Sequence, residues 1–378
     1  MSGNHKIAII FLDEIHHIYH FISIAVELSK NNEVHLLTHP GKQEFLYETL
    51  KSLNGEGVIV EKLKTSPFRA FTDKLKKRRL PRKGFWVKKH QDYILNNFDA
   101  VIFTDYFHHY LLDARGQKNK PKFIKIPHGV AGRAYVYNKE LLDFDMHVIF
   151  GDYHYQQLEK KGLLNKNSVV VGYPKLDALQ SVQTKPIFSN EKPTILYNPH
   201  FEPALSSWPL LGLEILEYFY NSKKYNLIFA PHINLFNKVG VDNATEIPEK
   251  YFKSENIHID LGSIKSVNMS YVNEADMYLG DVSSQVFEFI INPRPCIFLN
   301  PKKVKFKGDI NYRFWNCGKV INKTGKLPKG LKKAPKQFKK KYREIQLKMN
   351  LENFHFEEGS TASQRAAIAI TEYLDKSL

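Results

Sequence analysis

The chain is poor in cysteine: 378 residues contain two, Cys296 and Cys317. Two thiols build neither a disulfide framework nor a cysteine metal cluster, and they suit a reducing compartment. No stretch approaches the roughly 18 consecutive apolar residues that span a bilayer, so no membrane-spanning helix is expected. The early run Ile7 to Phe11 lacks the layout of a signal peptide and is soon followed by Asp13 and Glu14, so the expected location is the cytoplasmic side. Also missing are an HExxH pair, a GxxxxGK[ST] loop and a nucleophile-elbow serine, which argues against zinc protease, P-loop NTPase and α/β-hydrolase chemistry. Acidic residues are scarce beside basic ones, 39 against 55, giving a net charge of +16.

That excess is concentrated in two blocks. One is KLKKRRLPRKGFWVKK, Lys74 to Lys89, and the other runs from Lys302 to Arg343 with Lys339, Lys340 and Lys341 near its end. Basic blocks attract polyanions: nucleic acid, anionic lipid headgroups or a phosphate-rich substrate. Phe85 and Trp86 beside the first block suit the rim of a membrane interface. No recognition helix, zinc finger or RNP-type aromatic motif accompanies the charge, so no nucleic-acid partner is expected.

The chain exceeds the roughly 250–300 residues at which single cores stop growing, so two domains are expected. Strand-like runs alternate with helical stretches, the signature of parallel α/β sheets. In the first half the strands are Ile7 to Phe11, Val34 to Thr38, Val58 to Glu61, Ala100 to Thr104, Lys122 to Pro127, His147 to Phe150 and Ser168 to Val171. An amphipathic helix is expected over His20 to Ser29. Ser181 to Lys192 reads as a linker, and alternation then restarts with Thr194 to Tyr197, Leu227 to Ala230, His258 to Asp260, Met277 to Leu279 and Cys296 to Leu299. Helices are expected over Leu210 to Asn221 and Thr361 to Leu374. The resulting division is 1–180, 192–345 and a helical tail over 346–378 packing back across the domains. Ligands of open parallel sheets sit beyond the carboxyl ends of the strands, here in a cleft expected between two such domains.

Polar groups gather at those strand ends. His128 and Gly129 follow KIP, His200 follows LYNP, His232 follows LIFAP, and Asp281 follows MYLG. Any one of these histidines could be an ordinary satisfied side chain; three in the same topological place mark a site. A neutral histidine can take a proton from an attacking hydroxyl, and a protonated one can stabilise phosphate oxygens. Gly129 lets a ligand approach the backbone. From Asp276 to Asn300 the chain reads as strand, Gly280-Asp281 turn, Ser283 or Ser284 as helix cap, short helix and strand, which directs free N–H groups at an anion. Glu288 falls one turn into that helix, within reach of the ribose hydroxyl of a nucleotide bound there. In the first strand-to-helix loop, DEIHHIYH, His16 and His17 are candidate contacts on the acceptor side.

With these residues in hand, the chain resembles the CDP-glycerol glycerophosphotransferases of teichoic-acid and capsule synthesis, which have the GT-B fold. IPHG (Ile126 to Gly129), VGYPKLDAL (Val171 to Leu179), YNPHFEP, FAPH, the Asp281 to Phe298 segment and EGSTASQR (Glu358 to Arg365) match the family's motifs in order. The resemblance implies two Rossmann-like parallel-sheet domains and transfer of a glycerol-phosphate-like unit from a CDP-activated donor to a hydroxyl of a surface polymer or lipid-linked primer. It implies His128 as general base and His232 as stabiliser of the donor pyrophosphate or leaving group. Ser283 and Ser284 would hold donor phosphates, with Asp281, Glu288, Gly280 and His200 completing the donor side. No metal or cofactor is implied, and an anionic membrane surface is expected to meet Lys74 to Lys89. Two family arginines are absent: His200-Phe201-Glu202 stands where Thr-Trp-Arg is usual, and Ala230 stands two positions before His232. An Arg fork is a natural phosphate clamp, so a nucleotide-sugar glycosyltransferase of the same fold stays open as the alternative.

Overall fold

The computed structural model describes residues 4–12, 15–41, 43–78, 80–180, 182, 185–237 and 247–378, without the side chain of His16. Of the expected linker, positions 181, 183 and 184 lie outside the described residues. The chain forms two compact units. The first comprises Met1–Val130, Tyr137–Ser181 and Glu352–Leu378, and the second Ala131–Val136 and Val182–Leu351. Relative to the expected division, a six-residue segment after His128 groups with the second unit, and the tail from Glu352 groups with the first.

In the first unit the strands are β1 Lys6–Phe11, β2 Glu33–Thr38, β3 Val58–Lys62, β4 Ala100–Phe103, β5 Lys122–Lys125, β6 Met146–Ile149 and β7 Val169–Val170. They pair in parallel in the order β3-β2-β1-β4-β5-β6-β7, with Ile7 opposite both Val34 and Ala100. Central strands covered on both faces carry no alternation, and β1 accordingly buries five successive residues, Ile7 to Phe11. Trp86 corrects the sequence reading: it is fully buried in the core, its indole N–H donating to the Leu63 carbonyl at 2.7 Å. The short helix Lys83–Lys89 presents Trp86 and Val87 to that core and leaves Phe85 outside.

Two of the sequence motifs close this unit on itself. Gly172 of the GYP motif has a φ of +96°, and a Cβ there would stand 2.5 Å from the His355 carbonyl oxygen. Arg365 donates to the Val171 carbonyl at 2.9 Å and to the Ser360 carbonyl at 2.6 Å. Asp177 accepts from both the backbone N–H and the hydroxyl of Ser363, each at 2.7 Å. Thr361 caps the helix Ala362–Ser377 in a capping box with Gln364. The helix packs on Ile22–Leu28, and the VGYPKLDAL and EGSTASQR segments thus form one clasp.

The second unit holds β8 Thr194–Asn198, β9 Asn226–Phe229, β10 Ile257–Ile259, β11 Met277–Gly280, β12 Cys296–Leu299 and β13 Lys319–Ile321. Its parallel order is β10-β9-β8-β11-β12-β13, so β8 and β11 lie side by side at the centre with β9 next to β8. A core including Ile195, Tyr197, Phe219, Phe229, Leu279 and Ile297 fills one face. The helix Trp208–Tyr220 starts with Pro in its first turn and buries Leu211, Ile215, Leu216 and Phe219. Strand β13 was not expected, because three residues inside a basic block carry no periodic signal.

Gly172 and Gly359 both have positive φ, +96° and +83°, but only Gly172 meets a neighbour where a Cβ would stand. Gly359→Ala is expected to cost about 1 kcal/mol, the strain alone, and Gly172→Ala about 3 kcal/mol or more. Thermal unfolding of the two variants checks this, and equal losses would show that the clasp tolerates the added methyl.

Candidate active site

In the first unit, the chain leaves β5 through Ile126 and Pro127 and delivers His128 beyond the sheet's carboxyl edge. The His128 Nδ1–H donates to the Thr104 carbonyl at 2.8 Å. That bond fixes the tautomer and leaves the lone pair on Nε2. His17 stacks on the ring at 4.3 Å between centroids with planes 11° apart. Buried Lys125 donates to the same Thr104 carbonyl at 2.6 Å. Burial foremost, then the nearby His17 and Lys125, push the His128 pKa below the ordinary histidine value. The ring is therefore neutral near pH 7, as a base must be. Space is open where a Cβ on Gly129 would stand. The side chain of His16 lies outside the described residues.

The second unit builds its site on the neighbouring ends of β8, β9 and β11. Beyond β11, the Asp281 carboxylate is fully buried, and its Oδ2 accepts the backbone N–H groups of His200 at 3.1 Å and Ser207 at 2.7 Å. Its own carbonyl accepts the Trp315 indole N–H at 3.3 Å. Burial pushes the Asp281 pKa up to about 7 against the opposing hydrogen bonds from Ser207 and His200 and the charge of Lys302. This residue lies behind the site and positions the loop after β8. Gly280 is required by the same packing, since a Cβ there would stand 2.8 Å from the Asn198 carbonyl oxygen.

The loop so held carries His200, whose Nδ1 accepts the Glu202 N–H at 3.0 Å. Burial, with His232 and Arg133 adding to it, pushes the His200 pKa down to about 3, so the ring is neutral and its proton sits on Nε2. The Arg133 guanidinium stands 3.5 Å from that same Nε2. Both groups are donors, and an anionic oxygen that accepts from each is what satisfies them together. His232 lies 5.6 Å from His200 between ring centroids, with Phe201 against both rings. Its Nδ1 accepts the Asn234 N–H at 3.2 Å, which in the neutral ring puts the proton on Nε2.

Arg133 is the candidate site residue that sequence reasoning missed. It lies five positions after His128 yet belongs to the second unit. Gly132 fixes it there, because a Cβ on Gly132 would stand 2.5 Å from the Phe287 ring, and the Ala134 N–H donates to Asn311 at 3.0 Å. The only local signal was a glycine before an arginine. In the β11 turn, the buried Ser283 hydroxyl accepts the Gln285 N–H at 3.2 Å, whereas Ser284 is exposed and makes no capping bond. Glu288 is buried on the six-residue helix Gln285–Ile290.

This geometry separates contact from support. Inorganic pyrophosphate is expected to bind at least about tenfold more weakly to Arg133→Ala, a loss of about 1.4 kcal/mol or more. Asp281→Ala is expected to weaken it similarly by releasing the loop, and Asp281→Asn, which keeps an acceptor for both N–H groups, is expected to restore most of the affinity. Calorimetric titration reads all three, and an Asp281→Asn variant as weak as Asp281→Ala would show that the charge itself is needed.

The family described as CDP-Glycerol:Poly(glycerophosphate) glycerophosphotransferase matches residues 93–371. No curated protein sequence matches the chain. Among solved structures, the wall teichoic acid polymerase TagF is similar at 16% identity and a TM-score of 0.64, covering 99% of this chain and 90% of that one. MnaA of S. aureus in complex with UDP is similar at 13% identity and a TM-score of 0.67, covering 98% of this chain and 97% of that one. The UDP-GlcNAc 2-epimerase of Neisseria meningitidis bound to UDP-GlcNAc gives 14% identity and a TM-score of 0.59, covering 98% and 100%. At these identities the structural likenesses establish the fold, two parallel-sheet α/β domains of the GT-B type. The family match extends over well more than half of the chain, and the protein therefore belongs to the CDP-glycerol:poly(glycerophosphate) glycerophosphotransferases, enzymes that act with a CDP-activated donor on a teichoic-acid-like polymer.

Proposed function

We propose that His128 is the general base of this transfer and that Arg133, His200 and His232 bind the donor's phosphates. The acceptor hydroxyl oxygen forms a bond to the phosphorus that carries the glycerol. The bond from that phosphorus to the bridging oxygen breaks, and CMP leaves with the electron pair. The hydroxyl proton passes to His128 Nε2. The observation that carries this reading is the Nδ1–H bond to Thr104, which leaves Nε2 as the basic atom. Arg133 and the Nε2–H groups of His200 and His232 stabilise charge on the pyrophosphate oxygens, with Asp281 positioning His200 and the β11 turn adding N–H groups. Ser283 and Ser284 in the β11 turn hold donor phosphates and Glu288 orients the donor through a hydroxyl, while Gly129, His16 and His17 border the acceptor. These donors supply the charge neutralisation that a divalent cation would otherwise give, so turnover needs no metal or cofactor. The acceptor is a teichoic-acid-like or capsular polymer, or its lipid-linked primer.

We further propose that the enzyme works on the cytoplasmic face of the membrane, bound peripherally through the first basic block. Among the described residues no helix is long and apolar enough to cross a bilayer. The supporting observation is on the helix Pro67–Leu75, where Phe68, Phe71 and Leu75 are 66%, 60% and 66% exposed and share one face by their spacing. Exposed Lys74, Lys76 and Lys77 adjoin them. The nearby acid, Asp73, is buried and paired with Arg82 at 2.7 Å. An apolar stripe with uncompensated cations beside it is the chemistry of an anionic membrane surface.

His128→Ala is expected to lower transfer from CDP-glycerol at least about 100-fold while leaving donor affinity nearly unchanged. Because the free enzyme's His128 pKa is depressed, the acid limb of kcat/KM is expected below about pH 6.5, the ordinary histidine value. A wild-type rate in the variant, or an acid limb above that value, would remove His128 from the chemistry. For the membrane, Phe68→Ser/Phe71→Ser is expected to reduce sedimentation with phosphatidylglycerol vesicles while soluble turnover persists; undiminished sedimentation would move the contact elsewhere.

A further inference from the structure

We propose that the lysine face of the helix after β13 is a track that holds an anionic polyol-phosphate chain, the acceptor or its lengthened product. This rests on the reading of the enzyme as a glycerophosphotransferase acting on a polymer. The helix Leu327–Gln337 buries Leu327, Gly330, Leu331 and Ala334 and packs on β12 and β13. Its opposite face presents Lys329, Lys332, Lys333, Lys336 and, one turn on, Lys340, all exposed. None of the five has a hydrogen-bond or ion-pair partner among the described residues. Between Lys302 and Arg343 the sequence contains a single acid, Asp309, and that side chain is occupied as the N-cap acceptor for Asn311. The field of this face is therefore uncompensated, and its missing counterion is external.

Three observations favour a phosphate polymer over other polyanions. First, the face carries no exposed large apolar side chain between Leu327 and Lys341, unlike Pro67–Leu75 with its two phenylalanines and leucine. A bilayer contact uses such side chains, whereas a water-soluble chain has no use for them. Second, the lysines recur about once per 5.4 Å turn. Consecutive phosphates of an extended glycerol-phosphate chain lie about 7 Å apart at standard bond lengths, a difference that flexible lysine stems absorb. Third, the track starts beside the donor site. In a parallel sheet the ends of β11, β12 and β13 share one edge, β13 standing about 10 Å from β11. Lys302, in the turn after β12, acts electrostatically on Asp281 and donates to the Pro203 carbonyl. Cationic surface thus continues from the phosphate site through Lys302 to the helix, which then runs back along the sheet.

The test uses the intact enzyme and two synthetic glycerol-phosphate oligomers, one of two repeats and one several times longer. In a Lys332→Glu/Lys336→Glu/Lys340→Glu variant, affinity for the long oligomer is expected to fall at least about tenfold and to lose most of its salt dependence. Transfer from CDP-glycerol to the short oligomer should stay close to the wild-type rate. The milder Lys332→Gln/Lys336→Gln/Lys340→Gln variant should show the same direction, guarding against misfolding of the first. Unchanged affinity for the long oligomer overturns the track, as does a loss confined to phosphatidylglycerol vesicles. Absence of any wild-type transfer from CDP-glycerol would instead overturn the glycerophosphotransferase reading, while the oligomer titration would still decide the track.

Discussion

The loop that carries His200 in the second unit hangs on one buried carboxylate. Asp281 holds the loop after β8 through two backbone N–H groups, and its own backbone is held by Trp315. Without that tie, the peptide of His200 would lose its buried acceptor, and the ring facing Arg133 would lose its fixed direction. Two N–H donors do not fully offset the desolvation of a carboxylate, and its pKa rises to about 7 in consequence. Lys302 is the nearby charge that opposes this rise. The loop that carries His200 is thus held by a carboxyl group buried behind the backbone.

The motifs that carry the family resemblance divide by physical role. IPHG and FAPH place imidazoles at strand ends, where open parallel sheets bind their ligands. VGYPKLDAL and EGSTASQR do something else. Gly172 allows close approach to the His355 carbonyl, Arg365 gathers several carbonyls, and Asp177 receives two bonds from Ser363. Their chemistry is backbone satisfaction in a tight junction, and their fixed spacing follows from two segments having to mate. A run of matching motifs is therefore good evidence of shared architecture, while each residue's part in catalysis has to be argued from its own surroundings.

Most strands were legible because fully covered parallel strands read as unbroken apolar runs; β1 and β4 are the clearest. The candidate site was legible in part: of the residues that the strand-end rule picked out, the structure brings His200, His232 and Asp281 together in the second unit. What escaped had specific causes. Three-residue β13 is too short to show a period. Trp86 sits among lysines, and sequence alone could not tell that its helix turns Trp86 inward and Phe85 outward. Arg133 belongs to a segment that groups with the second unit, a fact set by the packing of Gly132 on Phe287 and invisible to local pattern. Positions 202 and 230 carry Glu202 and Ala230, and the arginine that stands 3.5 Å from His200 comes from a different stretch of chain.

A net charge of +16 describes two surfaces with different physics. Around Pro67–Leu75 the cations border exposed aromatic and aliphatic side chains, and the nearest acid is spent on an internal pair. Along Leu327–Lys341 they stand alone on a helix that buries Leu327, Leu331 and Ala334 and packs on β12 and β13. Coulomb attraction alone would not distinguish a lipid headgroup from a polymer phosphate. The apolar side chains do, because burying them is favourable in an acyl layer and of no use to a solvated chain. An enzyme that lengthens a polyanion while bound to an anionic membrane, as proposed above, needs both surfaces, and it needs them to prefer different partners.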